Sequence, residues 1–314
     1  MADAPHVERL SFEGLPTLER LRVGDLSVTA IPDLDRVGWP CDALLVGVTD
    51  DVLRAGEAVL PPGTVDAEAG RIALSFNVAF VKTPHWTAIV DPGVGAGKER
   101  PDRPAWHRRE SPVPAALARL GVDPAEIDFV INTHLHADHV GGNTVQSGNS
   151  WVPAFSRARY VVPAVDLVFW RSRDSSNPAG HTLHGAYRDS VEPLLAAGCL
   201  EGVDLPADVA PGLRLEAAPG HSPGMATVRI AQAGTVVRLL ADAIHHPLQL
   251  LEPQIGSRFC ADSEAAERTR VGLLAASADE GAIVLPYHFP APAFGRVRRS
   301  GRGFRFDPLD AAGG

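Results

Sequence analysis

The amino-acid sequence predicts an α/β fold in which many short strands alternate with helices. The 314 residues include 30 glycines and 27 prolines, a content that favours short strands joined by tight turns over a helical bundle. Hydrophobic residues make up 45% of the chain, which is enough for one large core. Several predicted strands are followed directly by a histidine or an aspartate, so we also expect a site at one edge of a sheet.

Predicted strands dominate the first half of the chain. Residues 1–20 are interpreted as a polar N-terminal lead, and residues 21–314 as a single domain. Residues 21–31 alternate apolar and polar side chains in the manner of a half-buried strand. Residues 72–81 and 86–90 are predicted to pair across a turn that contains proline.

Helices are predicted where proline, glycine and apolar spacing provide start and stop signals. Residues 114–120 begin with proline, and both this segment and residues 187–197 end before a glycine. Residues 165–170 open another helix, and residues 263–277 have amphipathic spacing. Residues 171–185, rich in Ser, Asn, Pro and His, are predicted to form a loop that could cover a substrate pocket.

Further short strands are predicted in the second half. Their common feature is an apolar run bounded by turn-forming residues, at 128–131, 159–162, 213–217, 226–230, 235–240 and 282–285. Residues 294–306 are predicted to form a hairpin whose arginines could make a local phosphate patch.

The segment 131–143 contains the most informative pattern. Three imidazoles and one carboxylate, from His134, His136, Asp138 and His139, fall within six residues directly after an apolar strand. Imidazole nitrogens and carboxylate oxygens are the usual ligands of catalytic zinc and related divalent ions, and burying them without a cation would leave polar groups unsatisfied. The pattern therefore predicts a metal site.

Three further side chains end predicted strands in the same way, namely His221, Asp242 and His288. Because strand ends meet at one edge of a sheet, we expect these side chains to join the first four. Asp91 ends another strand and has two interpretations: a hydrogen-bond acceptor that supports the metal loop, or part of a plain Asp-Pro-Gly turn.

Charge and composition narrow the functional classes. A formal net charge of −9 provides no overall basic field for nucleic acid or an anionic membrane. The first residues lack a signal-peptide pattern and no run of about 18 apolar residues occurs, so a cytoplasmic protein is expected. Cys41, Cys199 and Cys260 match no metal-binding spacing and are predicted to be reduced thiols.

In order and type, these residues resemble the signature of the metallo-β-lactamase superfamily: His-x-His-x-Asp-His, a later Gly-His, an Asp and a last His. The resemblance spans residues 20–300 and implies a four-layer αβ/βα sandwich, with two mixed β-sheets flanked by helices and the site at the edge between the sheets. It implies that one metal ion is bound by His134, His136 and His221, a second by Asp138, His139 and His288, and that Asp242 bridges them.

The resemblance also implies the chemistry. Two cations that share a water lower its pKa and generate a bridging hydroxide at neutral pH, while one of them polarises the bond to be cleaved. Asp242 would hold the pair together, and Asp138 would carry a proton to the leaving group. Zinc is the expected metal, although manganese, iron and cobalt suit the same ligands.

Within the superfamily, segments 155–162 and 285–298 resemble the lactonase and organophosphate-hydrolase branch. This implies cleavage of a lactone or other carboxylic ester, with a phosphotriester as the alternative and a thioester still open. Acyl-homoserine lactonases usually carry Phe between the motif's second His and its Asp, and Tyr three residues after the bridging Asp; this chain has Ala137 and His245. The carboxylate at Asp242 disfavours a β-lactamase, because those enzymes often use Cys there. The negative net charge disfavours a nuclease. The complete ligand set disfavours a non-enzymatic binding module.

The substrate pocket is expected among aromatic and loop residues, namely Trp86, Ala137, Trp170, His181, His184 and His245. His245 and His246 are adjacent and are interpreted as solvated rather than as ligands, with pocket contact open to His245. The expected partner is a small ester or lactone, without nucleic acid or membrane. The polar lead and the region of Trp39 could pack against a second subunit of a homodimer.

Overall fold

Two large β-sheets face each other in the computed structural model, which describes residues 4–177 and 182–309. The strands of the first sheet are β1 His6–Leu10, β2 Leu18–Val23, β3 Leu26–Pro40, β5 Val65–Asp66, β6 Arg71–Lys82, β7 Thr87–Val90, β8 Phe129–Ile131, β11 Arg159–Pro163 and β12 Leu200–Val203. Their order is β1-β2-β3-β6-β7-β8-β11-β12, with β5 paired to β6. Parallel and antiparallel pairs occur together, so the sheet is mixed.

The second sheet is also mixed and follows chain order. Its strands are β13 Ala207–Ala210, β14 Leu213–Ala217, β15 Ala226–Gln232, β16 Thr235–Leu239, β18 Ile283–Leu285, β19 Gly295–Ser300 and β20 Gly303–Pro308. Two small ribbons pair β4 Leu45–Val46 with β17 Gly256–Ser257, and β9 Thr144–Ser147 with β10 Ser150–Pro153.

Helices cover the outer faces of the sheets and connect the strands. The α-helices are α1 Cys41–Leu44, α2 Asp50–Val59, α3 Val113–Arg119, α4 Ala137–Val140, α5 Ala164–Ser175, α6 Glu192–Ala196, α7 Leu248–Leu251 and α8 Ser263–Glu280. Short 3₁₀ turns lie at Pro124–Glu126, Gly141–Asn143, Thr182–Gly185 and Ala241–Ala243, and a π-helical turn, Tyr187–Val191, precedes α6. Among the described residues, no helix combines the length and hydrophobicity needed to cross a membrane.

The hydrophobic core is divided into layers, because alternate residues of a strand point to opposite faces of its sheet. Between the sheets, Val81 of β6 packs in one cluster with Val228 and Ile283 of the second sheet. On the outer face of the first sheet, Val78 of β6 packs with residues of α3 and α6, and α8 covers the outer face of the second sheet through Leu274. The result is the predicted four-layer sandwich, in which each fully buried Val, Leu or Ile contributes about 1.5–3 kcal/mol.

Three predicted elements differ from the observed ones. The predicted strand 21–31 is a hairpin of β2 and β3, because Gly24 turns the chain with φ 55°. The predicted polar lead contains β1, which pairs with β2 and buries Val7 in the inter-sheet core, so residues 6–10 and 18–20 belong to the first sheet. The predicted loop 171–185 is shorter, because α5 continues to Ser175.

Five strands end at the same edge of the sandwich. β7 and β8 are parallel in the first sheet. In the second, β16 is parallel to β18, and β14 runs in the same direction because it is separated from β16 by one antiparallel strand. A hydrogen bond of 2.9 Å from Ala226 N to Thr133 O joins the sheets at this edge, and Asn77 Nδ2 donates to Tyr287 O at 2.9 Å. These contacts fix the spacing between the loops that follow the strands.

Candidate metal centre and substrate cavity

The loop after β8 presents the first four predicted ligands. His134 and His136 lie on the loop itself, and Asp138 and His139 lie in α4 directly after it. The following glycine pair allows a close approach of another backbone: a Cβ on Gly141 would lie 1.8 Å from the carbonyl oxygen of Val94. A larger residue at position 141 would therefore displace the loop.

The first group of candidate ligands lies on loops that follow strands of both sheets. His136 Nδ1 lies 3.0 Å from His134 Nε2 and 2.7 Å from His221 Nε2. His221 arrives from the loop after β14, and its Nε2 lies 3.2 Å from Asp242 Oδ2. Two buried imidazoles, one half-buried imidazole and one carboxylate thus place their nitrogen or oxygen atoms within 4.8 Å of one another, close enough to hold a single metal ion.

A second group lies on the other side of Asp242. His139 Nε2 and His288 Nε2 lie 3.7 and 3.6 Å from Asp138 Oδ2. They also lie 3.1 and 3.3 Å from Asp242 Oδ1. Asp242 therefore directs one oxygen to each group, the arrangement expected of a carboxylate shared by two cations.

Unsatisfied atoms indicate that the donor set fits cations. Within the described part of the chain, His139 Nε2 and Asp242 Oδ1 are buried and have no hydrogen-bond partner. Leaving such atoms unpaired costs about 1–3 kcal/mol each. A divalent ion would satisfy the converging lone pairs without requiring a hydrogen.

The far nitrogens of the imidazoles are held by other groups. Asp91 Oδ2 lies 2.9 Å from His139 Nδ1, and Asp91 also accepts hydrogen bonds from the Thr133 amide at 2.8 Å and hydroxyl at 2.7 Å. His288 Nδ1 lies 3.2 Å from the carbonyl oxygen of Ser75. Partners of this kind fix ring orientation and tautomer. Of the two interpretations of Asp91, the structure therefore shows the supporting acceptor.

Burial and charge set different protonation states across the centre. Burial lowers the pKa of His134 and of His221 well below the ordinary value, so both rings present neutral lone pairs. Burial also opposes the charged form of His139, but the carboxylates of Asp242 and Asp91 raise its pKa well above the ordinary value. The protein without a cation therefore keeps a proton on His139, which a metal ion must displace.

A largely apolar cavity of about 330 Å³ opens onto both groups of ligands. Five of its lining residues are candidate ligands, namely His136, Asp138, His221, Asp242 and His288. The others are Trp39, Leu44, Leu74, Phe76, Arg103, Trp106, Ala137, Trp170, Leu183, His184, His245 and Phe259. The cavity has the size and lining of a small-molecule site.

The family model described as the metallo-beta-lactamase superfamily matches residues 74–288, more than half of the chain. The chain belongs to this superfamily. The match begins in β6 and ends at His288, so it contains all seven candidate ligands. Family membership and the layered architecture agree with the fold predicted from the sequence.

Curated relatives of this superfamily member include lactonases. An N-acyl homoserine lactonase of Bacillus cereus is 27% identical over 135 residues, which cover 43% of this chain and 45% of the relative. One from a Bacillus species is 30% identical over 108 residues, or 34% of each chain. The chain thus matches less than half the length of these relatives.

Solved structures share the fold over nearly the whole chain. The crystal structure of the hydrolase AbOPH of the beta-lactamase superfamily has a TM-score of 0.78 at 18% identity, over 99% of this chain and 100% of that one. AidC, a dizinc quorum-quenching lactonase solved with a homoserine product, has a TM-score of 0.74 at 20% identity and the same coverage.

The structure supports some of the predicted pocket residues of this superfamily member and corrects others. Ala137, Trp170, His184 and His245 line the cavity. Trp86 is a correction: it packs between the sheets, and its indole N–H donates to the carbonyl oxygen of Pro211 at 3.0 Å. His181 lies outside the described residues.

The interpretation of His245 and His246 as solvated is wrong. Both side chains are buried, because the Gln249 side-chain oxygen accepts hydrogen bonds from both backbone amides, at 2.8 and 3.2 Å, and folds the segment inward. His246 Nε2 lies 3.2 Å from the carbonyl oxygen of Thr64, away from the cavity. His245 Nε2 lies 3.3 Å from Asp242 Oδ2.

Carboxylates pair with three arginines of the terminal hairpin, for which the sequence suggested a local phosphate patch. Arg298 and Arg305 both pair with Asp307, at 3.5 and 2.8 Å, and Arg299 pairs with Asp279 at 2.9 Å. Neighbouring carboxylates therefore neutralise much of the positive charge of this hairpin.

Sequence reasoning missed two residues that support the ligands. Asp166 is fully buried in α5 and accepts hydrogen bonds from Leu135 N at 2.9 Å, from the Ser222 hydroxyl and from Gly224 N at 3.0 Å, so it ties the two ligand loops together. Cys260 Sγ lies 3.8 Å from His221 Nδ1, and burial raises the pKa of this thiol to about 11. Neither residue belongs to a motif visible in one sequence.

Proposed function

We propose that the protein is a hydrolase that binds two divalent metal ions, zinc foremost, and cleaves a lactone or another carboxylic ester. One observation carries this proposal: Asp242 lies between two groups of buried ligands, and both groups open into one apolar cavity. Superfamily membership and the lactonase names of the curated relatives support it.

The candidate ligands divide between the two proposed ions. His134, His136 and His221 would hold one, Asp138, His139 and His288 the other, and Asp242 would contribute one oxygen to each. When bound, such ions lower the pKa of a coordinated water and polarise the bond that is attacked.

The side chains of the chain have distinct tasks in this proposal. Asp138 is the group that would move a proton to the leaving alcohol, because its carboxylate borders both the ligands and the cavity. The Tyr287 hydroxyl donates to the Asp138 carbonyl oxygen at 2.5 Å, and its ring stacks on His139 at 4.0 Å, so the backbone of α4 is held in place. The apolar wall would exclude bulk water from the acyl group.

The cavity favours a small, partly apolar substrate. Ala137 sits beside the ligands where a larger residue would fill space, and Trp106 and Trp170 provide flat walls. This aromatic lining also favours the second candidate, a phosphotriester with an aromatic leaving group. His245 takes the place where acyl-homoserine lactonases usually have Tyr, so the proposed substrate class is lactones and esters in general.

The test combines metal analysis with a substrate panel. The purified protein is assayed on lactones, aryl esters, phosphotriesters and nitrocefin before and after chelation, together with His134→Ala. We expect about two metal ions per chain, ester or lactone turnover that is lost on chelation and restored by zinc, and no turnover by His134→Ala. Turnover that survives chelation or persists in His134→Ala would contradict the proposal. Ligand-dependent melting without turnover would instead indicate a binding module.

A further inference from the structure

The cavity contains a positive charge that the proposed hydrolysis does not use. Of the described residues that line it, only Arg103 is a lysine or arginine. Its guanidinium carbon lies 5.6 Å from the ring centroid of Trp39, 5.7 Å from that of Trp106 and 5.6 Å from that of Phe259. Three aromatic rings from distant parts of the chain thus hold one cation in the cavity wall.

The backbone around Arg103 is fixed before any ligand binds. Arg103 N donates to Arg100 O at 2.8 Å, and Arg103 O accepts from Trp106 N at 2.8 Å. Arg100 is fully buried and donates two hydrogen bonds to the Asp189 carboxylate, at 2.6 and 2.8 Å. These contacts attach the turn to the rest of the protein. Binding of a ligand at Arg103 would therefore cost little conformational entropy of the backbone.

Arg103 differs from its neighbours in having no acidic partner. Arg100, Arg108 and Arg109 each form an ion pair with a carboxylate. Within the described residues no carboxylate pairs with Arg103, and its buried Nε has no hydrogen-bond partner. Aromatic faces attract the cation, but they do not replace the oxygen acceptors that the in-plane N–H groups require.

The charge acts on the rest of the cavity. Burial first and the Arg103 guanidinium second lower the pKa of His184, so that imidazole is neutral at pH 7. The positive charge on this wall that has no carboxylate partner among the described residues is therefore that of Arg103. This guanidinium faces a small, mostly apolar space. A planar guanidinium with free N–H groups is suited to a carboxylate, which accepts two parallel hydrogen bonds.

We propose that Arg103, held by Trp39, Trp106 and Phe259, is an anion subsite that selects ester or lactone substrates bearing a carboxylate away from the bond to be cleaved. This inference rests on the proposed function only in placing the scissile bond at the metal centre. The subsite itself is a binding site and exists whether or not turnover occurs.

The test measures equilibrium binding of two matched amides that mimic esters. N-(4-nitrophenyl)glutaramic acid carries a carboxylate, and N-(4-nitrophenyl)pentanamide has the same length without it. Calorimetry on the metal-loaded protein should show at least about tenfold tighter binding of the acid. Arg103→Met should reduce this ratio to about twofold or less, and Arg103→Lys should retain part of it, because lysine keeps the charge but loses the bidentate geometry.

Arg119→Met is the matched control, because Arg119 is exposed in the last turn of α3 and lines no cavity beside the metal centre. It removes the same charge and should keep the wild-type ratio. Thermal melting confirms that each variant is folded. Equal binding of both amides by the wild type, no binding of the acid, or a preference that survives Arg103→Met would overturn the proposal; the last result would place the carboxylate at the histidines.

Failure of the subsite and failure of the proposed function give different results. The corresponding pair of esters, mono(4-nitrophenyl) glutarate and 4-nitrophenyl pentanoate, is assayed in parallel. A binding preference that depends on Arg103 without ester turnover would support the subsite and contradict the hydrolase. Turnover of both esters with equal KM, together with equal amide binding, would contradict the subsite alone.

Discussion

The two sides of the cavity are built differently. On the metal side, the buried carboxylates of Asp91 and Asp166 accept hydrogen bonds that fix the candidate ligands and their loops. On the aromatic side, Trp39, Trp106 and Phe259 come from distant segments and are held by edge-to-face contacts and one cation. Hydrogen bonds define atom positions, whereas ring contacts tolerate exchange of one apolar residue for another.

This difference separates two kinds of mutational effect. A change on the metal side should alter metal content and kcat, because ions require ligand atoms at defined positions. A change on the aromatic side should alter KM and substrate preference while leaving the metal in place. The following predictions are ordered by the size of the expected effect.

Asp242→Asn should have the largest effect, because it weakens the one ligand shared by both groups. We expect kcat/KM to fall by about a thousandfold or more, corresponding to about 4 kcal/mol of lost transition-state stabilisation. Metal content by plasma emission spectroscopy should fall with it. Two tightly bound ions and near-normal turnover in this variant would show that the carboxylate does not bridge.

Asp91→Asn should weaken metal binding without removing a ligand. The amide keeps one acceptor oxygen, but its NH2 group cannot accept the hydrogen bonds made to the other carboxylate oxygen, and the negative charge beside His139 and Thr133 is lost. We expect metal affinity, measured by competition with a chromophoric chelator, to fall by about 10- to 100-fold. Unchanged affinity would mean that ligand orientation does not depend on this contact.

Trp106→Leu should affect substrate binding alone. The residue is buried and its ring lies edge-to-face against Phe76, with centroids 6.0 Å apart. Loss of aromatic contact should raise KM for 4-nitrophenyl esters about three- to tenfold, with little change in kcat. Metal content should equal that of the wild type, and a loss of metal in Trp106→Leu would contradict the separation of the two sides.

Lys98 lies in the segment just before Arg103 and Trp106. Its substitution should change how the free energy of unfolding depends on pH. Burial lowers the pKa of this fully buried amine from 10.5 to about 7, despite the opposing charge of Asp189. Between pH 7 and 10.5 the unfolded chain therefore binds more protons than the folded one, so this group makes stability rise with pH.

Lys98→Met should remove that dependence. Urea unfolding of the metal-loaded proteins at pH 7 and pH 9 should show the wild type gaining on the variant by about 1 kcal/mol per pH unit. A stability difference between the wild type and Lys98→Met that stays constant over this range would mean that the amine stays charged when buried.

The candidate metal ligands could be predicted from the sequence because their chemistry is distinctive. His134, His136, Asp138 and His139 are close in the chain, and three other ligands each follow a strand, so strand ends at one edge were enough to bring them together. The resemblance to the superfamily implied the layered fold.

The aromatic side could not be predicted, because it depends on which faces pack together. Trp86 and Trp106 each lie two residues after a proline, but Trp86 packs between the sheets and Trp106 reaches the cavity. Arg103 lies in an Arg-Pro-Asp-Arg-Pro segment that reads only as a turn. His246 Nε2 lies beside the carbonyl oxygen of Thr64, 182 residues away in the chain, a contact that the local sequence does not contain.

The proposed binuclear centre is tested most directly by anomalous diffraction at the zinc absorption edge from crystals grown with zinc. The account predicts two peaks, one among His134, His136 and His221 and the other among Asp138, His139 and His288, with Asp242 between them. A single peak, or peaks away from these seven side chains, would contradict it.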